Sequence, residues 1–335
     1  MSEDKDIKVS EALPDNSVIY VKRQGTQIGL DEGRIEVREK GESVASFPEE
    51  QINTVNIFGG INFTTPFIKE ANEKGITINY FTKYGKYQGS FVPVKNTIAR
   101  VRRKQYGIKD HKKREIVESI VWGKARNMKT VLMRKDVGET DKIQEVMDKI
   151  EENSYEIDSL RAREGEATDY YFKKLDSCLR EDWSFKKRTR RPPEDHINSL
   201  LSLTYTMLKN EVISGLRQYN LDPFLGVMHV DRHGRPSLAL DLMEEFRPLF
   251  ADTFVMRLVN RQTLKHEDFK KNNRLKDRKF NKYLEKWEDY MEEEFRHPLF
   301  EYKTSRRKSI TMQAILFRKV LTGENDKYHP LIFKR

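Results

Sequence analysis

Between Ser17 and Val94 the apolar residues come in short runs of six or seven: SVIYVK, RIEVRE, SVASFP, INTVNIF, ITINYF and GSFVPV. They are β-branched or aromatic and are separated by Gly, Asn and charged turns, which predicts strands. One segment breaks the pattern. TPFIKEANEKG predicts a helix with Thr65 as its cap and Gly75 as its stop. After Val94 the period lengthens to helical spacing, as in REIVESIVWGKARNMKTVLMRK and SLLSLTYTMLKNEVISGLRQY. The second of these follows RRPPEDHIN, where Pro192 and Pro193 mark a turn before the helix. The expectation is an α+β chain, with a mainly β domain over residues 1–95 and an all-helical domain over 96–335. The sequence shows neither an internal repeat nor a low-complexity linker.

Composition adds a partner class to this outline. Lys and Arg number 63 against 53 Asp and Glu, a formal charge of +10, which suits a polyanionic partner. Basic runs at 98–115, 185–191, 269–286 and 302–308 all lie in the helical part, several with aromatics between the cations. Each alone is an ordinary solvated helix face; together they point to a nucleic-acid surface. Zinc-finger spacing, a Gly-rich phosphate loop and an aromatic RNA-binding strand are absent, which favours contacts to the phosphate backbone over base reading. A single cysteine, Cys178, excludes an internal disulfide and a multi-cysteine zinc site, and suits a small buried hydrophobe. The polar start MSEDKDIKVSEALPDN is neither a signal nor a transit peptide. No apolar run approaches the roughly 18 residues of a membrane helix. The expected location is cytoplasmic.

The candidate chemistry sits in GVMHVDRHGRPSLALDLMEEFRP, residues 226–248, which gathers His229, His233, Asp231, Asp241, Glu244 and Glu245 among apolar residues. Gly234 and Pro236 interrupt any helix that could carry both histidines, so their four-residue spacing does not make a metal pair. Ser237 is expected to cap a helix beginning at Leu238. On it Asp241 and Glu244, three apart, share a face while Leu238, Leu242 and Phe246 pack. Glu245, four from Asp241, competes for that role. Imidazole and carboxylates without thiolates suit Mg²⁺ or Mn²⁺. An acidic metal pocket inside a basic protein suits attack on a phosphodiester. The same spacing also describes a helix salt-bridge face.

Several motifs in order resemble a known family. These are the stretch above, RRPPEDHIN followed by NEVISGL, and LRAREGEATDYYF. With IFGGINFTTPFIKEANEKGITINYF and RRKSITMQAILFRKVLTGENDKYHPLIFKR, they resemble the CRISPR-associated integrase and endonuclease Cas1 over nearly the whole chain. The resemblance implies a β-rich N-terminal dimerisation domain and a helical catalytic domain. It implies catalytic and metal-binding residues Glu164, from the Glu-Gly pair of REGEATDYYF, His229, from Gly-x-x-His, and Asp241, from S-L-x-L-D-L. Glu244, the acid three residues on, joins them as a metal ligand of least secure directness. Glu166 follows the glycine and does not match, and His233 falls in a variable, surface or DNA-facing loop.

The resemblance also implies a homodimer that assembles with the small CRISPR-associated protein Cas2. It would bind double-stranded DNA, both prespacer and CRISPR repeat, and join them by attack of a DNA 3′-hydroxyl on a phosphodiester. Glu211 matches another acid of the family, either behind the metal site or in a salt bridge. Asn198 is expected to fix its turn, while Tyr170, Tyr171, Trp122, Trp183 and Trp287 are expected to pack. Two other readings stay open: a non-catalytic basic DNA-binding scaffold, and a nuclease acting mainly on branched DNA.

Overall fold

Two four-stranded sheets account for the N-terminal apolar runs. In the computed structural model, which describes residues 17–82, 87–93, 99–152, 156–190 and 192–333, the strands run in the following order. They are β1 (Ser17–Val21), β2 (Gln27–Asp31), β3 (Arg34–Glu39), β4 (Glu42–Pro48), β5 (Ile52–Phe58), β6 (Asn62–Phe63), β7 (Thr77–Phe81) and β8 (Tyr87–Phe91). One sheet has the order β1-β5-β7-β8, parallel except for the β7–β8 pair, and the other has the order β4-β3-β2-β6. Ile28, Ile35, Val55, Ile57 and Ile78 from these strands form the core with Phe67 and Ala71. Every predicted run is a strand or overlaps one. β2 and β6 were not expected: QIGLD has two apolar residues around Gly29, and β6 is two residues long. Short strands interrupted by Gly carry too little pattern to be seen before their partners are known.

Helix α1 (Thr65–Lys74) joins β5 to its parallel neighbour β7. Its cap is Thr64, not Thr65: the Thr64 hydroxyl accepts from Phe67 N at 3.3 Å. Thr65 and Pro66 open the helix, where proline's missing N–H is harmless. Gly75 ends it at φ 79°, a left-handed position that glycine adopts without strain.

The remaining helices are α2 (Ala99–Tyr106), α3 (Asp110–Arg134), α4 (Asp141–Glu152), α5 (Ile157–Leu175), α6 (His196–Gln218), α7 (Ser237–Phe246), α8 (Thr253–Asn260), α9 (Asp277–Glu292) and α10 (Arg306–Thr322). The chain divides into two units, one running to Arg103 and including Ser214–Leu221, the other made of Lys104–Ile213 and Asp222–Arg335. The expected boundary at 95/96 falls outside the described residues. The second unit is helical, as expected, and among its described residues the strands are confined to one small hairpin, β9 (Glu294–Arg296) with β10 (Lys303–Ser305). Three-residue strands carry no readable alternation.

Within the second unit, α3 packs against α4, α5 and α7. Its buried stripe includes Val117, Val121, Met128 and Val131. Between α7 and α8 the backbone widens to a π-type turn over Arg247–Asp252. Pro248, second in that turn, has no N–H to continue the regular ladder. Among the described residues no helix is long and apolar enough to cross a membrane.

Candidate active site

The loop carrying His229 is folded around one carboxylate. Asp241, in the middle of α7, is fully buried. Its Oδ2 accepts from Val227 N at 2.7 Å and Met228 N at 3.0 Å. Its Oδ1 accepts from His229 N at 3.0 Å and from the same residue's Nδ1 at 2.5 Å. A carboxylate only accepts, so Nδ1 donates to Asp241, and Nε2 is the ring nitrogen left facing away from it. All four lone-pair positions of Asp241, expected from the sequence as a ligand, are filled by this loop. Gly226 is needed at the start of the loop. A Cβ there would stand 2.7 Å from Ser237 Cβ, 2.8 Å from His229 O and 3.0 Å from Asp241 Oδ2. Ser237 does not cap α7; it is the helix's first residue and its hydroxyl donates to Val230 O at 3.4 Å.

One turn along α7, Glu244 meets Glu164 of α5 through a shared cation. Lys124, from the middle of α3, hydrogen-bonds Glu164 Oε1 and, at 2.6 Å, Glu244 Oε2. Its side chain is 3% exposed. Arg247 bonds the other Glu244 oxygen, Oε1, at 3.1 Å. Thr168 Oγ1 donates to Glu164 at 2.8 Å. Burial raises the Glu164 carboxyl, but the charge and hydrogen bond of Lys124, with Thr168 and Arg247, outweigh it and bring it down to about 2. Behind this cluster the Arg247 guanidinium lies 4.9 Å from the Tyr205 ring centre, and Tyr205 donates to Asp252 at 2.6 Å. Burial lifts Asp252 to about 6, against hydrogen bonds from Tyr205 and Tyr171.

Two links bring the histidine loop to this pair. Asp241 and Glu244 are three residues apart on α7. On α5, Arg161, one turn before Glu164, donates to Met228 O at 3.3 Å, the carbonyl just before His229. Glu164, His229 and Glu244 therefore stand on elements tied to one another within a helical turn of each side chain. As the side chains lie, no three His, Cys, Asp or Glu among the described residues form a group that could hold a metal ion. The donor types nevertheless fit a hard or borderline divalent ion, and Lys124 Nζ already stands as a cation between two of them.

The competing residues lie elsewhere. Glu245 turns to the C-terminal segment, accepting from Tyr328 OH at 2.6 Å and Leu331 N at 2.7 Å, and burial pushes its carboxyl to about 8. Glu211 pairs with Arg307 of α10. Glu166 pairs with Arg163 on the surface. Asn198 fixes its turn, donating to Lys187 O and accepting from Arg188 and Thr189 N. Tyr170 donates to Glu139 O, whereas Tyr171 and Trp287 are fully buried and Trp183 stacks on His266. Cys178 is buried and its thiol is pushed up to about 11. His233 is exposed and lines an open cavity of about 350 Å³ with Tyr106, Phe224 and Arg232. Lys124 and Arg247 escaped the sequence reading. For Lys124 there was a signal, since it falls three residues after Val121 and four before Met128, on the apolar stripe of α3.

Residues 19–289 match the family model described as CRISPR associated protein Cas1. The chain belongs to the Cas1 family. It is 50% identical over 329 residues to the CRISPR-associated endonuclease Cas1 4 of Methanospirillum hungatei, covering 98% of this chain and 94% of that one. A Cas1 protein of Thermotoga maritima has the same fold, with a TM-score of 0.79 at 26% identity over 95% of this chain and 99% of that one. A casposase bound to integration product also matches, with a TM-score of 0.79 at 18% identity over 93% and 92% of the two chains, which speaks to fold alone.

Proposed function

We propose that this Cas1 chain is a metal-dependent DNA integrase and endonuclease of CRISPR adaptation. Glu164, Glu244 and the His229 Nε2 would hold a Mg²⁺ or Mn²⁺ ion, with Asp241 fixing the imidazole. The observation that carries this reading is the meeting of Glu164 and Glu244, 80 positions apart, on one buried cation beside the loop of His229. When bound, a divalent ion there would polarise a phosphoryl oxygen and offset the charge of the pentacoordinate phosphate.

Asp241 orders the ring so that its lone pair, not its proton, meets the ion. Exposed cations hold the polyanion. On α2, Arg100, Arg102, Arg103 and Lys104 are exposed while Val101 and Gln105 are buried, and Lys270, Lys271, Arg274, Lys276 and Arg278 line a second exposed run. Strand transfer exchanges one phosphorus–oxygen bond for another: the attacking 3′-hydroxyl loses its proton and the leaving 3′-oxygen gains one. With water as the attacker the same centre cuts instead, so no protein nucleophile is required.

Two structural relatives are titled as complexes of a Cas6-RT-Cas1 protein with Cas2, and another as a Cas1–DNA complex. In line with these, the β-rich N-terminal region is assigned to homodimerisation, the helical region to catalysis, and duplex DNA and Cas2 to the partners. The test combines labelled duplex, supercoiled repeat-bearing plasmid and Mn²⁺. Joined products from wild type, lost in Glu164→Ala, His229→Ala and Glu244→Ala, are expected. Undiminished joining in all three variants sinks the metal assignment. Cut but never joined strands favour a nuclease on branched DNA, and binding without either product favours a scaffold.

A further inference from the structure

We propose that Lys124 is a resident counter-ion of the metal-binding carboxylates, competing with the divalent ion for Glu164 and Glu244 and yielding them when the ion enters. The inference rests on the proposed metal site and adds a residue that sets how tightly, and when, that site loads.

Geometry supplies the first argument. Lys124 belongs by position to a core stripe, with Val117, Val121 and Met128 as its neighbours along α3. A lysine so buried persists only if paired. Its partners are the two carboxylates that the metal reading requires, and its ammonium touches both. Charge supplies the second. Glu164 and Glu244 carry two negative charges, and Lys124 and Arg247 carry two positive ones. A divalent ion approaching this neutral set gains little from Coulomb attraction unless one cation withdraws.

The two cations are not equally able to do so. Arg247 is held at the start of the π-type turn, over the Tyr205 ring. The lysine is a point charge on a flexible four-carbon stem, free of the fixed fork of a guanidinium. Among the described residues it alone bridges the two acids, and moving its ammonium by the width of an ion releases its hold on Glu164 Oε1 and Glu244 Oε2. A purely structural ion pair makes the opposite prediction for metal binding. If Lys124 only shaped the site, its loss would splay the carboxylates and weaken the ion's hold.

The experiment is Mn²⁺ titration by calorimetry on the full-length protein without DNA, comparing wild type with Lys124→Met and Lys124→Gln. Mn²⁺ is expected to bind about tenfold tighter or more in the neutral variants. Their melting temperature should fall in EDTA and recover with saturating Mn²⁺ by more than wild type gains. Equal or weaker Mn²⁺ binding by folded Lys124→Met overturns the proposal while leaving the metal site intact. Binding by neither protein overturns the metal site as well. Should both variants fail to fold, reductive methylation of wild type decides: Lys124 labelling should rise severalfold on adding Mn²⁺, and unchanged labelling overturns the proposal.

Discussion

The second unit buries two clusters of acids around a cation, and they differ in the cation. At one, Arg307 is 4% exposed and serves three glutamates. It meets Glu211 with Nε at 3.1 Å and a terminal nitrogen at 3.2 Å, reaches Glu288 at 2.7 and 2.9 Å, and also bonds Glu292. A rigid fork with five donors fixes each carboxylate along its own direction, which makes a staple among α6, α9 and α10. At the other, Lys124 gathers Glu164 and Glu244 without such directionality. Both pairings satisfy burial, yet only the second leaves its acids exchangeable. A buried acid–base cluster is thus not a functional site by virtue of burial; the mobility of the cation decides which cluster can trade partners.

The largest contrast is in catalysis. Glu244→Gln should cut Mn²⁺-dependent DNA joining on the order of 10³-fold, since under the proposed function it removes a ligand of an ion that would contribute several kcal/mol to the transition state. Glu211→Gln, at the other cluster, should leave the rate per folded molecule within about twofold. Equal losses in the two variants would erase the distinction between the clusters.

Stability should show the reverse. Arg307→Met strands Glu211 in the interior and leaves the half-buried Glu288, whose carboxyl burial already raises against the pull of Arg307, without its partner. The expected loss is about 3–5 kcal/mol in urea unfolding, the usual cost of breaking a buried pair. Mn²⁺ should not restore it. Restoration by the ion would mean that the Arg307 acids are also a metal site.

Much of this was legible in the chain and some was not. The strands β3 and β5 match their predicted runs residue for residue, because alternating β-branched positions announce themselves locally. Glu164, His229 and Asp241 came from motif order, with Glu244 as the least secure ligand, and the structure places Glu164 on α5, His229 in the loop before α7 and the other two on α7. The hydrogen-bonding of Asp241 was not legible. From sequence it is an acid on the same face as Glu244, and only the folded loop shows its four acceptor positions filled by Val227, Met228 and His229. Lys124 was overlooked because lysine is common on helices and its burial depends on α5 and α7, both remote in the chain. The Thr64 cap and the position of Ser237 were each missed by one residue, the ordinary scale on which helix ends shift with local hydrogen bonding.

A smaller effect probes the loop that serves the exchangeable cluster. Gly226→Ala would place a methyl against Ser237 Cβ, the backbone His229 O and Asp241 Oδ2, the last pinned by the N–H groups of Val227 and Met228. Overpacking of this kind costs about 1–3 kcal/mol. The strain should appear as a displaced His229, with Mn²⁺ affinity lowered about 10–100-fold as for other groups that orient a ligand. The melting temperature in EDTA should move far less than in Arg307→Met. Wild-type Mn²⁺ affinity in this variant would detach His229 from the site.

The most gradual effect, spread over about two pH units, separates the clusters by pH. His297, 1% exposed in the hairpin before α10, accepts from Leu299 N at 3.2 Å and Phe300 N at 3.3 Å with Nδ1, so protonating that nitrogen would break both bonds. Burial pushes its imidazole down to about 4. The unfolded chain takes up this proton near pH 6.5 and the folded chain only near 4. Below pH 6.5 the folded state therefore loses up to about 1.4 kcal/mol per pH unit from this group. The Glu164 carboxyl, brought down to about 2, behaves oppositely in range: its contribution is complete above the unfolded value near 4.3 and is lost only as pH falls towards 2. Between pH 6.5 and 4.5, acid should thus loosen the hairpin that leads into the Arg307 staple while Glu164 stays ionised. Amide exchange of residues 294–305 should accelerate over that interval ahead of α3 and α5, and His297→Gln should flatten the pH dependence of urea unfolding by the same amount. Identical slopes in wild type and His297→Gln would remove this histidine from the account.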